Sequence, residues 1–197
     1  MRVVAAAALV AGIDEAGRGP LAGPVVAAAV ILPPGVQLPG LGDSKTVPPR
    51  ARARLEKEIK KCCIACAVGR AGVAEIDRLN ILNATLLAMR RALLALPVAP
   101  AEAWVDGNRA PRLPCPARCF VRGDARFAVI SAASILAKEC RDREMRGLHR
   151  RWPQYNFAAN KGYGSRAHRR ALAEHGPCPA HRRSFAPLRL MLARGAC

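Results

Sequence analysis

The feature that most constrains this chain is the stretch at residues 12–30, in which two adjacent acids separate two apolar runs. An apolar segment leads into Asp14 and Glu15, a turn built from Gly17, Arg18 and Gly19 follows, and a second run rich in Val and Ala then begins. Apolar runs of this length are typical of buried strands, so the pattern predicts a β-hairpin with two carboxylates at the mouth of a strand. A buried carboxylate must be paired, metal-bound or protonated. A hairpin turn with two solvated acids is the simpler alternative for an Asp-Glu pair considered alone.

The rest of the chain alternates predicted strands and helices. Strands are expected at residues 3–13, 24–32, 62–69, 103–105 and 118–121, and helices at residues 50–61, 73–96, 125–145 and 165–175. This alternation predicts an α/β fold. At 197 residues, with 51% hydrophobic residues, the chain can bury one core, and we expect a single domain over residues 1–197.

The charge of the chain points to a polyanionic partner. It carries 32 basic and 14 acidic residues, for a net charge of +18, and residues 141–197 alone hold 13 basic and 3 acidic residues. Nucleic acid or a membrane surface is the default inference from such an excess. We expect the C-terminal part to bind a nucleic-acid backbone, because the alternative, a solvated charged surface, would not need such a one-sided excess.

Two further features bear on the compartment. The start of the chain superficially resembles a secretory signal, but it leads directly into Asp14 and is better explained as the first strand, so a cytoplasmic location is expected. The chain has eight cysteines, whose spacing is not that of a zinc site. Free thiols are therefore expected, with a metal or disulfide clip between Cys115 and Cys119 as the alternative.

The stretch at residues 12–30 resembles the signature of the type 2 ribonucleases H, in particular the bacterial ribonuclease HII family. Other motifs of that family recur in order: Asp-Ser-Lys at 43–45, Val-Asp-Gly at 105–107, Ser-Ala-Ala-Ser-Ile-Leu-Ala-Lys at 131–138, Lys-Gly-Tyr-Gly at 161–164 and His-Arg-Arg-Ser-Phe-Ala-Pro at 181–187. There are two departures. Arg122 replaces the usual Lys before Gly123 and Asp124, and Thr46-Val47-Pro48 replaces Lys-Leu-Ser.

The resemblance implies a ribonuclease H-like fold, with a five-stranded mixed sheet flanked by helices over about residues 1–150 and a helical C-terminal extension over about residues 151–197. It implies an endoribonuclease that cuts the RNA strand of RNA/DNA hybrids, and that cuts on the 5′ side of single ribonucleotides embedded in duplex DNA, leaving 3′-hydroxyl and 5′-phosphate ends. We expect it to act as a monomer. The sister ribonuclease HIII usually carries an extra N-terminal domain, for which Asp14 comes too early. A non-catalytic nucleic-acid-binding protein with the same fold is the alternative from another class.

Four carboxylates match the family positions: Asp14, Glu15, Asp106 and Asp124. Hydrolysis of a phosphodiester by two divalent ions about 4 Å apart uses such a set, and Mg²⁺ and Mn²⁺ both favour oxygen ligands. Neighbouring residues on a regular strand point to opposite faces, so we expect the first strand to end or bulge near Gly17. Glu139 is kept as an outside candidate for the second ion.

The resemblance also assigns residues to the substrate. Gly17, Arg18 and Gly19 would read the ribose 2′-hydroxyl and a phosphate, and Tyr163 would stack on the neighbouring sugar; a tyrosine that merely closes a loop is the alternative. The candidates for phosphate contacts, any of which could simply be solvated, are Lys45, Lys161, Arg166 and Arg169. Ser131, Ser134 and His168 are expected to be structural.

Overall fold

The computed structural model describes residues 9–42, 44 and 46–194, so Lys45 lies outside the described residues. Within them, the strands are β1 (Val10–Ala16), β2 (Val25–Ile31), β3 (Ala65–Ala71), β4 (Glu102–Asp106) and β5 (Ala117–Phe120). The helices are α1 (Pro49–Cys62), α2 (Val73–Leu94), α3 (Ala128–Arg151), α4 (Phe157–Asn160), α5 (Arg166–His175) and α6 (Ala186–Arg194). Two short 3₁₀ turns, Gly123–Ala125 and Pro153–Tyr155, flank α3.

The strands form one mixed sheet in the order β3-β2-β1-β4-β5. The strands β1, β2 and β3 are antiparallel neighbours, whereas β4 runs parallel to both β1 and β5. The expected five-stranded mixed sheet flanked by helices is therefore confirmed.

Helices cover both faces of the sheet. Every residue of β2 is buried, because α2 packs on one face while α1 and α3 pack on the other. Small residues let α3 approach closely: a Cβ at Gly12 would overlap the backbone of Val129. The centre of the sheet is thus dry, and its strand ends are the places where polar groups can meet.

The first strand differs from the prediction. Residues 3–8 of the expected strand lie outside the described residues, and β1 continues beyond residue 13 to Ala16. The ladder to β2 is unbroken from Ala11, opposite Ile31, to Ala16, opposite Val26. Asp14 and Glu15 therefore lie inside a strand, not beyond its end.

The predicted helix at residues 73–96 is also interrupted. Asn80 has a φ of 67°, a left-handed conformation that breaks the helix, and its Oδ1 accepts a hydrogen bond from the N–H of Asn83 at 3.1 Å. Asn tolerates this conformation better than most residues, and its side chain caps the helical turns that follow.

Two other boundaries were wrong. The third strand begins at Ala65 because α1 runs on to Cys62, and α3 continues past the predicted end at residue 145 to Arg151. It stops there because the next residue, Trp152, precedes Pro153 and takes an extended backbone.

The C-terminal extension packs against the loop between β1 and β2. Its own apolar cluster includes Tyr155, Phe157 and Leu172. Backbone hydrogen bonds join it to the loop: the N–H of Leu21 donates to the carbonyl of Gly162, and the N–H of Arg182 donates to the carbonyl of Leu21. This loop begins with the Gly-Arg-Gly turn at residues 17–19.

None of the helices within the described residues has the length and apolar character needed to span a bilayer. The cysteines of this part of the chain are free thiols, as expected: Cys62, Cys63, Cys66, Cys115, Cys119, Cys140 and Cys178.

Candidate active site

Three of the four predicted carboxylates meet at one end of the central strands. Asp14 and Glu15 belong to β1, and Asp106 is the last residue of the neighbouring parallel strand β4. The ladder between these strands ends at the pair Ile13 and Val105, one residue before Asp14 and Asp106. Parallel strands end at the same edge of a sheet, and this edge brings the acids together.

Asp14 and Glu15 lie close to the end of β1 at Ala16, directly before Gly17, where the strand was expected to end or bulge. Asp14 lies opposite Ala28, which packs toward α3, whereas Glu15 lies opposite Ala27, which packs toward α2. The two side chains therefore leave β1 on opposite faces. Because β4 stops at Asp106, the edge of β1 is open beside them, and both carboxylates lie within electrostatic range of Asp106.

The pKa values of Asp14 and Glu15 are both raised, and burial is the largest cause for each. Asp14 is 5% exposed, and the pKa of its carboxyl is raised well above the usual value by burial first and then by the charges of Glu15 and Asp106. Burial also raises the pKa of Glu15, although Arg18, whose Nη1 lies 3.3 Å from Oε1 of Glu15, opposes that shift.

The hydrogen bonds of the acids leave capacity for a further cationic partner. Oδ1 of Asp14 accepts from the N–H of Glu15 at 2.6 Å, and Ser134 lowers the pKa of Asp14 by a hydrogen bond. Among the described residues, the second oxygen of Glu15, Oε2, is buried and has no hydrogen-bond partner. A bound cation would give this buried oxygen an electrostatic partner.

Asp124 is brought to this edge through Asp106. Oδ1 of Asp106 accepts from the N–H of Gly123 at 2.7 Å, which ties the Gly123–Ala125 turn to the end of β4. Asp124 is half-buried on that turn and interacts with neighbouring groups. Arg122, the departure from the family motif, precedes the turn in a left-handed conformation with φ 55° and is exposed.

A cavity of about 460 Å³ opens over the carboxylates. Six predicted residues line it: Glu15, Gly17, Arg18, Gly19, Asp106 and Tyr163. The structure thus assembles these six predicted residues around one space, with Asp14 buried beneath it. The three predicted phosphate ligands within the described residues, Lys161, Arg166 and Arg169, do not line this cavity.

Sequence analysis missed a row of cavity residues on α3. Ser134, Lys138 and Arg141 line the cavity together. Their spacing of four and three residues places them on one helix face, and this spacing is the signal that could have found them. Ser134, which was expected to be structural, hydrogen-bonds Asp14 of β1, and its Oγ lies 2.9 Å from Oγ of Ser44.

Glu139 is not part of the site. Its Oε1 lies 2.6 Å from Nε of Arg52, and Asp142 lies 3.2 Å from Nη2 of the same guanidinium. Arg52 also donates to the carbonyls of Ser44 and Val47 at 3.1 and 3.0 Å. This buried ion cluster joins α1 to α3 and holds the loop that carries Ser44.

Two buried histidines form a hydrogen-bonded chain that ends at the backbone carbonyl of Tyr163. Nδ1 of His168 lies 2.8 Å from the carbonyl of Tyr163, and Nε2 of His168 lies 3.0 Å from Nε2 of His181. A carbonyl can only accept, so Nδ1 of His168 carries the proton and its Nε2 accepts one from His181. Nδ1 of His181 is then the acceptor for the N–H of Cys178 at 3.0 Å. Both rings are neutral in this arrangement, and burial followed by the neighbouring His168 lowers the pKa of His181 to about 4.

The carboxylates fit divalent cations by chemistry and charge. Their oxygens are the hard ligands that Mg²⁺ and Mn²⁺ prefer, and Oε2 of Glu15 has no hydrogen-bond partner among the described residues. Within the described residues, no three His, Cys, Asp or Glu side chains are already gathered as a finished metal-binding group.

Comparison with known proteins gives a consistent picture. The family model described as ribonuclease HII matches residues 11–188. The ribonuclease HII of Thiobacillus denitrificans is 56% identical over 181 residues, which cover 92% of this chain and 89% of that protein. The crystal structure of the ribonuclease H2 from Pyrococcus horikoshii has a TM-score of 0.79 at 26% identity, covering 94% of this chain and 98% of the other. The Bst ribonuclease HIII in complex with Mn²⁺ shares the fold, with a TM-score of 0.70 at 23% identity, covering 95% of this chain and 70% of that one.

The raised pKa of Asp14 predicts the sign of a stability change. The folded protein binds this proton more tightly than the unfolded chain, so the ionised carboxylate destabilises the fold once the pH exceeds the unfolded pKa of about 4. In chelator at pH 7, Asp14→Asn should raise the free energy of unfolding by on the order of 1 kcal/mol, and the gain should shrink as the pH falls toward 4.

Urea unfolding at both pH values measures this difference. Asp77→Asn is the control. Asp77 accepts hydrogen bonds from the N–H groups of Arg183 and Ser184 at 3.1 and 2.9 Å, so this substitution should lower the free energy of unfolding. A loss of stability in Asp14→Asn at pH 7 would contradict the assignment of repulsion at this site.

Proposed function

The chain belongs to the ribonuclease HII family, and we propose that Asp14, Glu15, Asp106 and Asp124 are the catalytic carboxylates of its reaction. It is an endoribonuclease that acts on the RNA strand of RNA/DNA hybrids and on ribonucleotides within DNA. The observation that carries the assignment is the convergence of three acids with the orphan oxygen of Glu15 beside an open cavity.

We propose Mg²⁺ or Mn²⁺, two ions per site, as the cofactor that these acids hold. When bound, such ions supply a nucleophilic water and neutralise charge on the attacking and leaving oxygens. Asp14 would contribute from beneath the cavity, and Glu15 and Asp106 from its wall. Asp124 would contribute from the turn that Asp106 holds through Gly123. Cleavage on the 5′ side of the ribonucleotide would leave a 3′-hydroxyl and a 5′-phosphate.

The Gly-Arg-Gly turn and Tyr163 are proposed to recognise the ribonucleotide together. The Tyr163 side chain is exposed in the cavity, and a Cβ on Gly19 would lie 3.6 Å from Cε1 of the ring, in ordinary van der Waals contact. The turn and the ring therefore border the same small space. Its backbone groups would contact the 2′-hydroxyl, while the ring would stack on the sugar that follows.

The basic residues of the C-terminal extension are proposed to contact phosphates outside the cavity. Arg166 and Arg169 are exposed on α5. Nη1 of Arg169 donates to the carbonyl of Gly164 at 2.7 Å, and Nζ of Lys161 donates to the carbonyl of Ala158 at 2.6 Å. Burial lowers the pKa of Lys161, so this residue would contribute less than the two arginines. In this proposal the extension, residues 151–197, completes the substrate groove of a single catalytic domain.

The direct test is a cleavage assay on a DNA duplex that contains one ribonucleotide. The purified protein should cut it 5′ of the ribonucleotide with Mn²⁺ or Mg²⁺ and should be inactive in chelator. Asp106→Asn removes one charged ligand and little surface, so it should abolish cleavage. Glu58→Gln, which neutralises an exposed acid that pairs with Arg54, is the matched control and should leave the rate unchanged. Near wild-type turnover in Asp106→Asn would refute the assignment.

A second prediction separates a stacking role of Tyr163 from that of a loop lid. A substrate displaced by about 1 Å can react on the order of a hundredfold more slowly, so Tyr163→Ala should strongly slow cleavage at a single embedded ribonucleotide. Tyr163→Phe keeps the ring and should be much milder. The measurement is the ratio of cleavage rates on the single-ribonucleotide duplex and on a long hybrid. A ratio equal to that of the wild type, with a lower melting temperature, would favour the lid.

A further inference from the structure

Arg182 is a buried cation that binds almost nothing but the backbone of the loop between β1 and β2. It is fully buried, and its guanidinium donates to the carbonyls of Gly17 at 2.6 Å, Arg18 at 2.9 Å, Gly23 at 2.9 Å and Pro24 at 3.2 Å. Four carbonyls of one short loop thus converge on a single side chain that lies more than 150 residues away in the sequence.

This arrangement is costly for a charge. Within the described residues, Arg182 forms no salt bridge, and the nearby guanidinium of Arg141 repels it. Burial and that repulsion lower the pKa of Arg182. Arg141 is itself buried and also donates to backbone carbonyls, those of Ala22, Pro24 and Lys161. Burying two cations under one loop costs free energy. This cost indicates that the shape of the loop matters.

The hydrogen bonds of Arg182 fix which groups of the turn face outward. The C=O and N–H of a planar trans peptide point in opposite directions. Because the carbonyls of Gly17 and Arg18 point inward to Arg182, the N–H groups of Arg18 and Gly19 point away from it. Among the described residues, neither N–H donates to a backbone carbonyl, and both residues line the cavity over the carboxylates. The turn therefore presents two adjacent N–H donors, with the guanidinium of Arg182 beneath them. This arrangement suits an oxygen of a ribose or a phosphate.

The residue before Arg182 supports another residue of the cavity lining, Tyr163. His181 bonds His168, which in turn holds the carbonyl of Tyr163. Two consecutive residues of the C-terminal extension thus fix both the turn and the aromatic residue that border the same space.

We propose that Arg182 is a positioning residue for ribose recognition, which holds the Gly-Arg-Gly turn in the shape that presents the N–H groups of Arg18 and Gly19 to the ribonucleotide. The inference rests on the proposed function, because it concerns how the same site distinguishes ribose from deoxyribose. Arg182 acts through the turn and need not touch the substrate.

The test compares the affinity for two duplexes that differ only in one 2′-hydroxyl. Fluorescence anisotropy in chelator, where neither duplex is cut, gives the ratio of dissociation constants for all-DNA and single-ribonucleotide duplexes. Arg182→Lys keeps the charge but cannot span four carbonyls, so the ratio should fall about three- to tenfold, the size expected for losing one hydrogen bond.

A stability control and a milder variant complete the test. Tyr155→Phe removes the hydrogen bond from Tyr155 to the carbonyl of Gly176 at 2.7 Å in the same extension, so it should lower the melting temperature without changing the ratio. Asp77→Ala releases the backbone of Arg183 and Ser184, next to Arg182, and should lower the ratio less than Arg182→Lys. If Arg182→Lys does not fold, Asp77→Ala decides.

The possible outcomes are distinct. A wild-type ratio in Arg182→Lys, or in Asp77→Ala where that variant decides, would overturn the inference, as would a wild-type protein that binds both duplexes equally. An equal fall in Tyr155→Phe would overturn it too, since general loosening would then explain the effect. Failure of the proposed function is recognised separately, by the absence of metal-dependent cleavage in the wild type.

Discussion

Repulsion among Asp14, Glu15 and Asp106 is the constraint on which the site depends. Hydrophobic packing on both faces of β1 fixes where these carboxylates lie, and burial deprives them of the water that would stabilise their charge. The fold can carry this cost because the rest of the sheet is apolar and closely covered. In the proposed function the same burial favours metal binding, because a bound cation would stabilise carboxylates that water does not reach.

Buried positive charges lie beside the next segment of the chain, the loop between β1 and β2. Arg141 and Arg182 lie beneath the loop that follows β1, and each is satisfied by backbone carbonyls. Acidic side chains thus lie at one end of the segment, and buried cations shape the turn at the other. In the proposed function, metal binding by Asp14 and Glu15 and ribose recognition by the turn would both draw on this stretch, which distant residues hold in place.

Much of the fold could be predicted from the sequence, because buried strands and amphipathic helices leave strong apolar patterns. The carboxylates were found through the family motifs, and the sheet brings Asp14, Glu15 and Asp106 together as expected. The continuation of β1 through residues 14–16 could not be predicted, because it depends on the pairing of these residues with residues 26–28 of β2. Nor could the pairing of Glu139 with Arg52, since it depends on how α1 docks against α3. The contacts of Arg182 span most of the chain and leave no local pattern.

The central claim is that the converging carboxylates form a divalent cation site, and the most direct measurement is the unfolding midpoint as a function of Mn²⁺ concentration at constant ionic strength. A ligand that binds only the folded state raises the midpoint as its concentration exceeds the dissociation constant. The account predicts a rise with increasing Mn²⁺ in the wild type that is largely lost in Glu15→Gln, because that variant replaces the carboxylate with the orphan oxygen. An equal rise in both proteins, or none in the wild type, would contradict it.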